Sequence, residues 1–502
     1  MSRLVIVSNR LPVTVRLQDH SEQFEISSGG LVTALRSVLR SLEGSWIGWA
    51  GTSHHPAIEK RFRSIDLIDH WSMVPIFFST EEKHEFYSGF CNEILWPLFH
   101  DLQSRCNFEP AYWRRYTKIN ARFANAVSEV AGPDDLVWVH DYHLMLLGQA
   151  LDGRVKRERL YYFHHIPFPS PDVFEKLPWK ECFLRSLLLF GCVGFQTDRD
   201  RRNFLGCVRR FLPKARVIRA LDHFSIREEG QQTLVGSFPI GIDFDEFSGL
   251  AANPEVVEQA AQIRRNLPEC RIVLGVDRLD YTKGLVERLK AFRNLLERYP
   301  GLHRKISLIQ VAVPSREDIP KYKELKLEVE RLVGTINGYF GSTSWVPIHY
   351  LHRHLLRAEL VAYYRSADIA LITPLKDGMN LVAKEFCASR VDESGILILS
   401  EFAGAANQLR TGALLVNPYD TEGVASALYE AFHLPGRDVQ RRMRRMRQRV
   451  RRENVYRWCS KIFAQSDAQE SFPISLPPLM ASGFERCSLT PGPGPASAGE
   501  PS

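Results

Sequence analysis

The sequence predicts an α/β protein with doubly wound sheets. Three observations carry this expectation. Short apolar runs recur along the chain, each followed by a helical pattern. The runs are continuous rather than alternating, as in parallel strands buried on both faces. The chain also turns polar after Phe238-Pro239-Ile240-Gly241-Ile242-Asp243, and a fresh strand begins at Arg271.

Taken in order, Leu4-Val5-Ile6-Val7 reads as the first strand, and the pair Gly29-Gly30 lies between it and a helix. Leu136-Val137-Trp138-Val139 and Leu160-Tyr161-Tyr162-Phe163 follow as strands. After the break come Ile272–Val276, Ile369–Ile372 and Gly395–Leu399. The expected organisation is one domain over 1–240, a second over 241–453, and a helix over 454–466 returning to the first. The segment 467–502, rich in Pro and Gly around Pro491–Pro495, reads as a disordered tail. No internal repeat is present.

Composition bounds the function class. A chain of 502 residues with 44% hydrophobic and 25% charged residues matches a globular protein with a large core. The nine cysteines include no C-x-x-C pair, which argues against a zinc ribbon and for reduced thiols in a cytoplasmic protein. The N-terminal apolar run is too short for a signal peptide, and no stretch reaches the ~18–20 apolar residues that span a membrane. The net charge of +7 is concentrated locally, with eight arginines between Arg441 and Arg452. Val439, Met443, Met446 and Val450 fall on one helical stripe of that run, so the basic face reads as a solvated helix surface. Nucleic-acid binding is the less favoured reading.

Ligands of such sheets sit beyond the carboxyl ends of strands. Arg278 and Lys283 follow one strand, in a loop at a helix start, where two cations suit a diphosphate. Another strand leads into Asp377-Gly378-Met379-Asn380-Leu381, with Glu385 further on. Gly378 permits close approach of a ligand, and the backbone N–H groups from Gly378 to Leu381 face outward at a helix start. Asp377 and Glu385 stand about two helical turns apart, placed to grip hydroxyls at two ends of one ligand. Gly29 and Gly30 suit a loop closing over phosphates, although such pairs are more often plain turns. His140, Asp141 and His143 end one strand and His164 and His165 another; hydrogen bonding to a polar ligand outweighs a metal site there. Arg10 and Arg316 also end strands, and arginine suits phosphate.

These motifs occur together with Ser8-Asn9-Arg10, Leu95-Trp96-Pro97-Leu98-Phe99-His100, His165-Ile166-Pro167-Phe168-Pro169, Arg278-Leu279-Asp280-Tyr281 and Phe402-Ala403-Gly404-Ala405-Ala406. In this order, from about residue 3 to 465, the series resembles the trehalose-6-phosphate synthases. The resemblance implies two Rossmann-like domains facing across a cleft (the GT-B arrangement). It implies glucose transfer from a nucleotide sugar, usually UDP-glucose, to glucose 6-phosphate, giving α,α-trehalose 6-phosphate with retained configuration. GDP- and ADP-glucose remain open as donors, because base pockets are built largely from backbone and variable loops. By matching position, Arg10, Tyr87, Trp96 and Arg316 hold the acceptor phosphate and Asp141 the acceptor hydroxyls. His165 lies beside the donor glucose, and Arg278 and Lys283 neutralise the diphosphate. Asp377, Gly378, Met379, Asn380 and Leu381 hold the glucose, Glu385 the ribose, and Gly29 and Gly30 the closing loop. Tyr364 matches a donor-side position that is often Phe. No metal cofactor is expected, and a homodimer or homotetramer is. A non-catalytic sugar-phosphate sensor is the rival reading; the presence of Arg278, Lys283 and Glu385 counts against it.

Overall fold

The computed structural model describes residues 3–464 apart from 19–20, 27–29, 40–41, 55, 65–70, 221–222 and 318. Gly29 and the segment 467–502 therefore lie outside the described residues.

Two large sheets organise the chain. The second has six parallel strands, in spatial order Ile348–Leu351, Ile306–Val313, Arg271–Arg278, Ile369–Ile372, Ile396–Ser400 and Leu414–Val416. Numbered along the chain these run 3-2-1-4-5-6, the Rossmann order. The first sheet repeats that order in Trp71–Ile76, Gly44–Trp49, Leu4–Arg10, Leu136–His140, Leu160–His164 and Cys192–Phe195. It is then extended by the parallel strand Gln231–Ser237 and by antiparallel Phe224–Glu228 and Arg216–Arg219.

The central strands are buried on both faces. In Leu4–Arg10 every residue but the terminal arginine is buried, and Leu136–His140 and Ile369–Ile372 are buried throughout. Apolar runs such as Leu4–Val7 and Leu136–Val139 suit that environment, which is why these strands stand out in the sequence. Helix Leu285–Arg298 follows the same logic at a helical period, burying Leu285, Leu289, Phe292 and Leu296.

The structure corrects two local expectations. A β-hairpin, Val13–Gln18 with Ser21–Ile26, separates the first strand from the helix that starts at Gly30. The helix carrying Glu385 spans only Leu381–Ser389, so Asp377 precedes it rather than standing two helical turns away. The cause is Asn380, whose φ of 75° breaks the helical path while its side chain caps the Ala383 N–H.

The arginine-rich helix runs Gly436–Arg452 and buries Met443, Met446 and Val450. Arg441, Arg444, Arg445, Arg451 and Arg452 form the expected solvated face, and several arginines also make contacts with neighbouring segments of the chain. Arg447 donates to the carbonyls of Cys387 and Ala388, at the C-terminal end of helix Leu381–Ser389, where a cation complements the helix dipole. Arg444 pairs with Glu393 at 2.6 Å. The last helix, Val455–Phe463, lies against the first sheet: Trp458 packs on Trp138 and Phe163, each with ring centroids 5.1 Å apart.

Candidate active site

In each Rossmann set the spatial order reverses between the first and fourth strands, and a crevice opens at their carboxyl ends. Arg10 and Asp141 stand at that point of the first sheet, Arg278 and Asp377 at that point of the second. The two crevices meet. Gly378 lies so close to the first sheet that a Cβ there would fall 2.1 Å from the carbonyl oxygen of His165. Gly404 backs it equally tightly, since a Cβ there would lie 1.9 Å from the Gly378 carbonyl oxygen. Both positions need glycine because backbone meets backbone.

On one side of the cleft, cations and aromatic rings interleave. The Arg10 guanidinium lies 4.5 Å from the Trp49 ring and 5.5 Å from Tyr87. Tyr87 sits on Lys83–Leu95, a wide helix of i→i+5 pitch, a geometry frequent at functional sites. Arg316 crosses from the second sheet to lie 4.1 Å over Trp96, with Arg278 at 5.6 Å from the same ring. Arg316 also donates to Asp280, Tyr322 and, at 3.4 Å, the Tyr142 hydroxyl. Burial pushes the Tyr87 phenol up, but the guanidinium groups of Arg316, Arg10 and Arg278 outweigh it and hold the phenol below its ordinary value. Arg10 and Arg278 form no ion pair among the described residues. Trp96 Nε1, Arg316 Nε and His143 Nδ1 are buried without a hydrogen-bond partner among them. Buried polar atoms of this kind call for a polar ligand.

Asp141 and His165 occupy the middle of the cleft. Asp141 adopts φ 73°, and Arg316 (52°) and Asn380 (75°) share that left-handed region, which non-glycine residues keep only where the surroundings enforce it. The Asp141 carboxylate accepts from the His165 backbone N–H at 3.1 Å. Burial raises its pKa to about 6, against the pull of the His165, Tyr142 and Ile166 backbone and of Arg278. His165 Nε2 hydrogen-bonds His140 Nδ1 at 3.0 Å, and its Nδ1 lies 3.3 Å from the Gln196 amide. Burial lowers the His165 pKa to about 3, so the ring is neutral and acts as a hydrogen-bonding group. Among the described residues no cluster of His, Cys, Asp and Glu has the geometry to hold a metal ion.

On the other side, Lys283 donates to Asp377 at 2.5 Å, and Asn380 donates to the same carboxylate at 3.2 Å. Burial would raise Asp377, yet Lys283 holds it below the usual carboxylate value. Met379 is buried at the bend, and Leu381 opens the helix and faces Gly30, its Cδ1 lying 3.5 Å from where a Gly30 Cβ would be. Glu385 is buried and accepts from the Tyr364 hydroxyl at 2.8 Å. Tyr364 itself is only 1% exposed, so it meets the cleft through Glu385.

Several supporting residues escaped sequence reasoning. Asp280 is fully buried beneath Arg316; burial pushes it up, but Arg316 and Arg278 hold it at about 2. It stands in a motif that drew notice only for Arg278. Arg288 is 0% exposed, pairs with Asp277 at 2.7 Å and donates to Thr373 Oγ1 at 3.0 Å, tying together the two strands at the switch point. Lys376 reaches Asp101 across the cleft. No local pattern marks Arg288, Lys376 or Gln196.

The family model for glycosyltransferase family 20 matches residues 2–468. The chain belongs to that family. A bifunctional trehalose-6-phosphate synthase/phosphatase of Thermoproteus tenax is 42% identical over 470 residues, 91% of this chain. The chain spans only 62% of that protein's length. A UDP-forming α,α-trehalose-phosphate synthase of Schizosaccharomyces pombe is 40% identical over 438 residues, covering 86% of this chain and 84% of that one. Among solved structures, a UDP-forming α,α-trehalose-phosphate synthase of Burkholderia xenovorans in complex with glucose-6-phosphate aligns at TM-score 0.84 and 34% identity. That alignment covers 92% of this chain and 99% of the other. A structure described as trehalose-6-phosphate from E. coli bound with UDP-2-fluoro glucose aligns at TM-score 0.83 and 34% identity, covering 92% of this chain and 98% of the other. The architecture is that of the GT-B fold, two Rossmann-like domains.

Proposed function

We propose that the protein transfers glucose from UDP-glucose to glucose 6-phosphate, forming α,α-trehalose 6-phosphate with retention and releasing UDP. One observation carries the reading most directly. Three guanidinium groups act on the half-buried Tyr87 phenol, and two of them, Arg10 and Arg278, form no ion pair among the described residues. A phosphorylated sugar supplies the missing anion, and Arg10, Tyr87, Trp96 and Arg316 are the groups to hold it.

In this reading the anomeric carbon–oxygen bond to the diphosphate stretches toward an oxocarbenium-like state. Charge builds on the departing diphosphate, where Arg278 and Lys283 receive it, each contributing roughly 3 kcal/mol by analogy with oxyanion-hole donors. Lys283 comes to that task from its pair with Asp377. The acceptor hydroxyl attacks from the leaving-group face, and its proton passes to a diphosphate oxygen. Asp141 and His165 position the two sugars. Asp377 and the backbone from Gly378 to Leu381 hold the glucose, Glu385 the ribose, and Gly29 and Gly30 the closing loop. Two Rossmann-like domains, 1–240 and 241–453, supply the two substrates. The eight free cysteines among the described residues suit the cytoplasm. We assign the working form as a homo-oligomer without a metal cofactor.

The decisive experiment is a donor panel of UDP-, GDP- and ADP-glucose with glucose 6-phosphate, scored by nucleotide release and product identity. UDP release and trehalose 6-phosphate are expected, and only when both substrates are present. Binding of UDP without turnover of any donor would make the protein a sensor instead.

A further inference from the structure

The second sheet has a cavity of about 480 Å³ at the edge opposite the strand ends that carry Arg278 and Asp377. It opens where strands Arg271–Arg278 and Ile396–Ser400 begin, and Asp368, just before strand Ile369–Ile372, lines it. Its size lies within the range of small-molecule sites, roughly 300–1,000 Å³.

Charge in the cavity is unbalanced. The lining holds four arginines, Arg264, Arg271, Arg365 and Arg390, and two aspartates, Asp368 and Asp392. Arg264 takes both oxygens of Asp368, at 2.7 and 2.6 Å, and Arg390 lies 3.4 Å from Asp392. Arg271 rests on the Phe432 ring at 4.9 Å, and neither it nor Arg365 forms an ion pair among the described residues, although Arg365 helps hold Asp392 below its ordinary value. Arg390 is 4% exposed, and burial together with Arg365 and Arg264 disfavours its charge, against the pull of Asp392 and Asp368. An anion would relieve that repulsion. Helix Gly436–Arg452 also starts in the cavity wall, at Gly436, and no side chain caps its first turn.

Arg390 links this cavity to the cleft. It follows helix Leu381–Ser389, which carries Glu385, and donates to the Tyr364 carbonyl at 3.1 Å. The hydroxyl of the same Tyr364 donates to Glu385 at 2.8 Å. We infer that the cavity binds a small phosphate-bearing anion and that its occupancy, through Arg390 and Tyr364, alters the grip of Glu385 on the nucleotide. The binding claim stands on the cavity alone; the coupling rests on the ribose role proposed for Glu385.

The test uses the full chain saturated with UDP and glucose 6-phosphate, so that the cleft is filled. Inorganic phosphate and glycerol 3-phosphate are titrated separately by calorimetry into wild type and Arg271→Ala/Arg365→Ala. At least one should bind wild type with one-to-one stoichiometry and bind the double variant about tenfold or more weakly, since each lost charge-assisted contact is worth about that factor. The arm that binds more tightly identifies the source, free phosphate or a phosphate ester. No saturable binding to wild type, or equal binding to both proteins, would overturn the inference. A second variant, Arg365→Glu, should abolish binding while retaining turnover in phosphate-free buffer, which separates site loss from misfolding. UDP affinity should respond to the anion in wild type beyond any competition seen in the double variant; an identical response would remove the coupling. Failure of UDP itself to bind would count against the proposed function and leave the cavity untouched.

Discussion

Glu385 is a buried carboxylate whose one side-chain hydrogen-bond partner among the described residues is the Tyr364 hydroxyl, and burial raises its pKa even so. A ribose diol would give it two further donors. Glu385→Ala should therefore raise the KM for the nucleotide sugar at least about tenfold with a smaller change in kcat, the signature of lost ground-state binding. Tyr364→Phe should move the same constant less, about threefold, because it removes only the orienting bond. Unchanged donor affinity in Glu385→Ala, read by calorimetry with UDP, would remove the ribose from this residue. At this scale the sequence showed which side chains stand near strand ends, because Arg278 and Asp377 follow apolar runs directly. It did not show which of them are already paired. Lys283 looks as free as Arg278 in the sequence, yet the fold brings it against Asp377, 94 residues away.

Helix Leu381–Ser389 is fixed at both ends and at its middle. Asn380 caps its start, Arg447 its end, and Lys384, only 1% exposed, donates to the Ile240 carbonyl in the connection between the two sheets. Burial lowers the Lys384 pKa from 10.5 to about 7, Glu453 opposing and Arg449 and Lys461 assisting. A depressed lysine contributes stability that is full above its unfolded value and lost as pH falls through the folded one. Lys384→Met removes that titration, so the variant should gain on wild type as pH drops from 10 to 6. Melting temperatures at pH 6 and pH 9 check this; a variant–wild-type difference equal at both would exclude a lowered Lys384 pKa. Elements of this kind were legible where burial imposes a pattern, as in the central strands and in Met443, Met446 and Val450. The hairpin Val13–Ile26 and the helix start at Leu381 were not. A two-stranded ribbon outside the main sheets carries no continuous apolar run, and the helix start depends on one backbone angle at Asn380.

Across the whole molecule, contacts as well as the connection near residue 240 relate the two sheets. Arg316 and Lys376 reach over the cleft, and the last helix returns to the first sheet through Trp458. Trp458 is 2% exposed and packs on Trp138 and Phe163, so Trp458→Ala should cost about 3–5 kcal/mol, seen as a lowered melting temperature. A melting temperature equal to wild type would mean that this helix is dispensable. The break in composition near residue 240 was visible from the sequence; which residues cross the cleft was not, since such contacts join positions hundreds of residues apart. One of them limits how this architecture can be recombined. Gly378 sits where a methyl group would strike the His165 carbonyl oxygen, and Gly404 sits where one would strike Gly378. A chimera that joins the first half of this chain to the second half of a relative inherits a working seam only if the incoming half brings glycine to both places. The halves are thus interchangeable as folds but matched as surfaces, and a library of crossovers should survive in proportion to how faithfully that three-layer stack of backbone is kept.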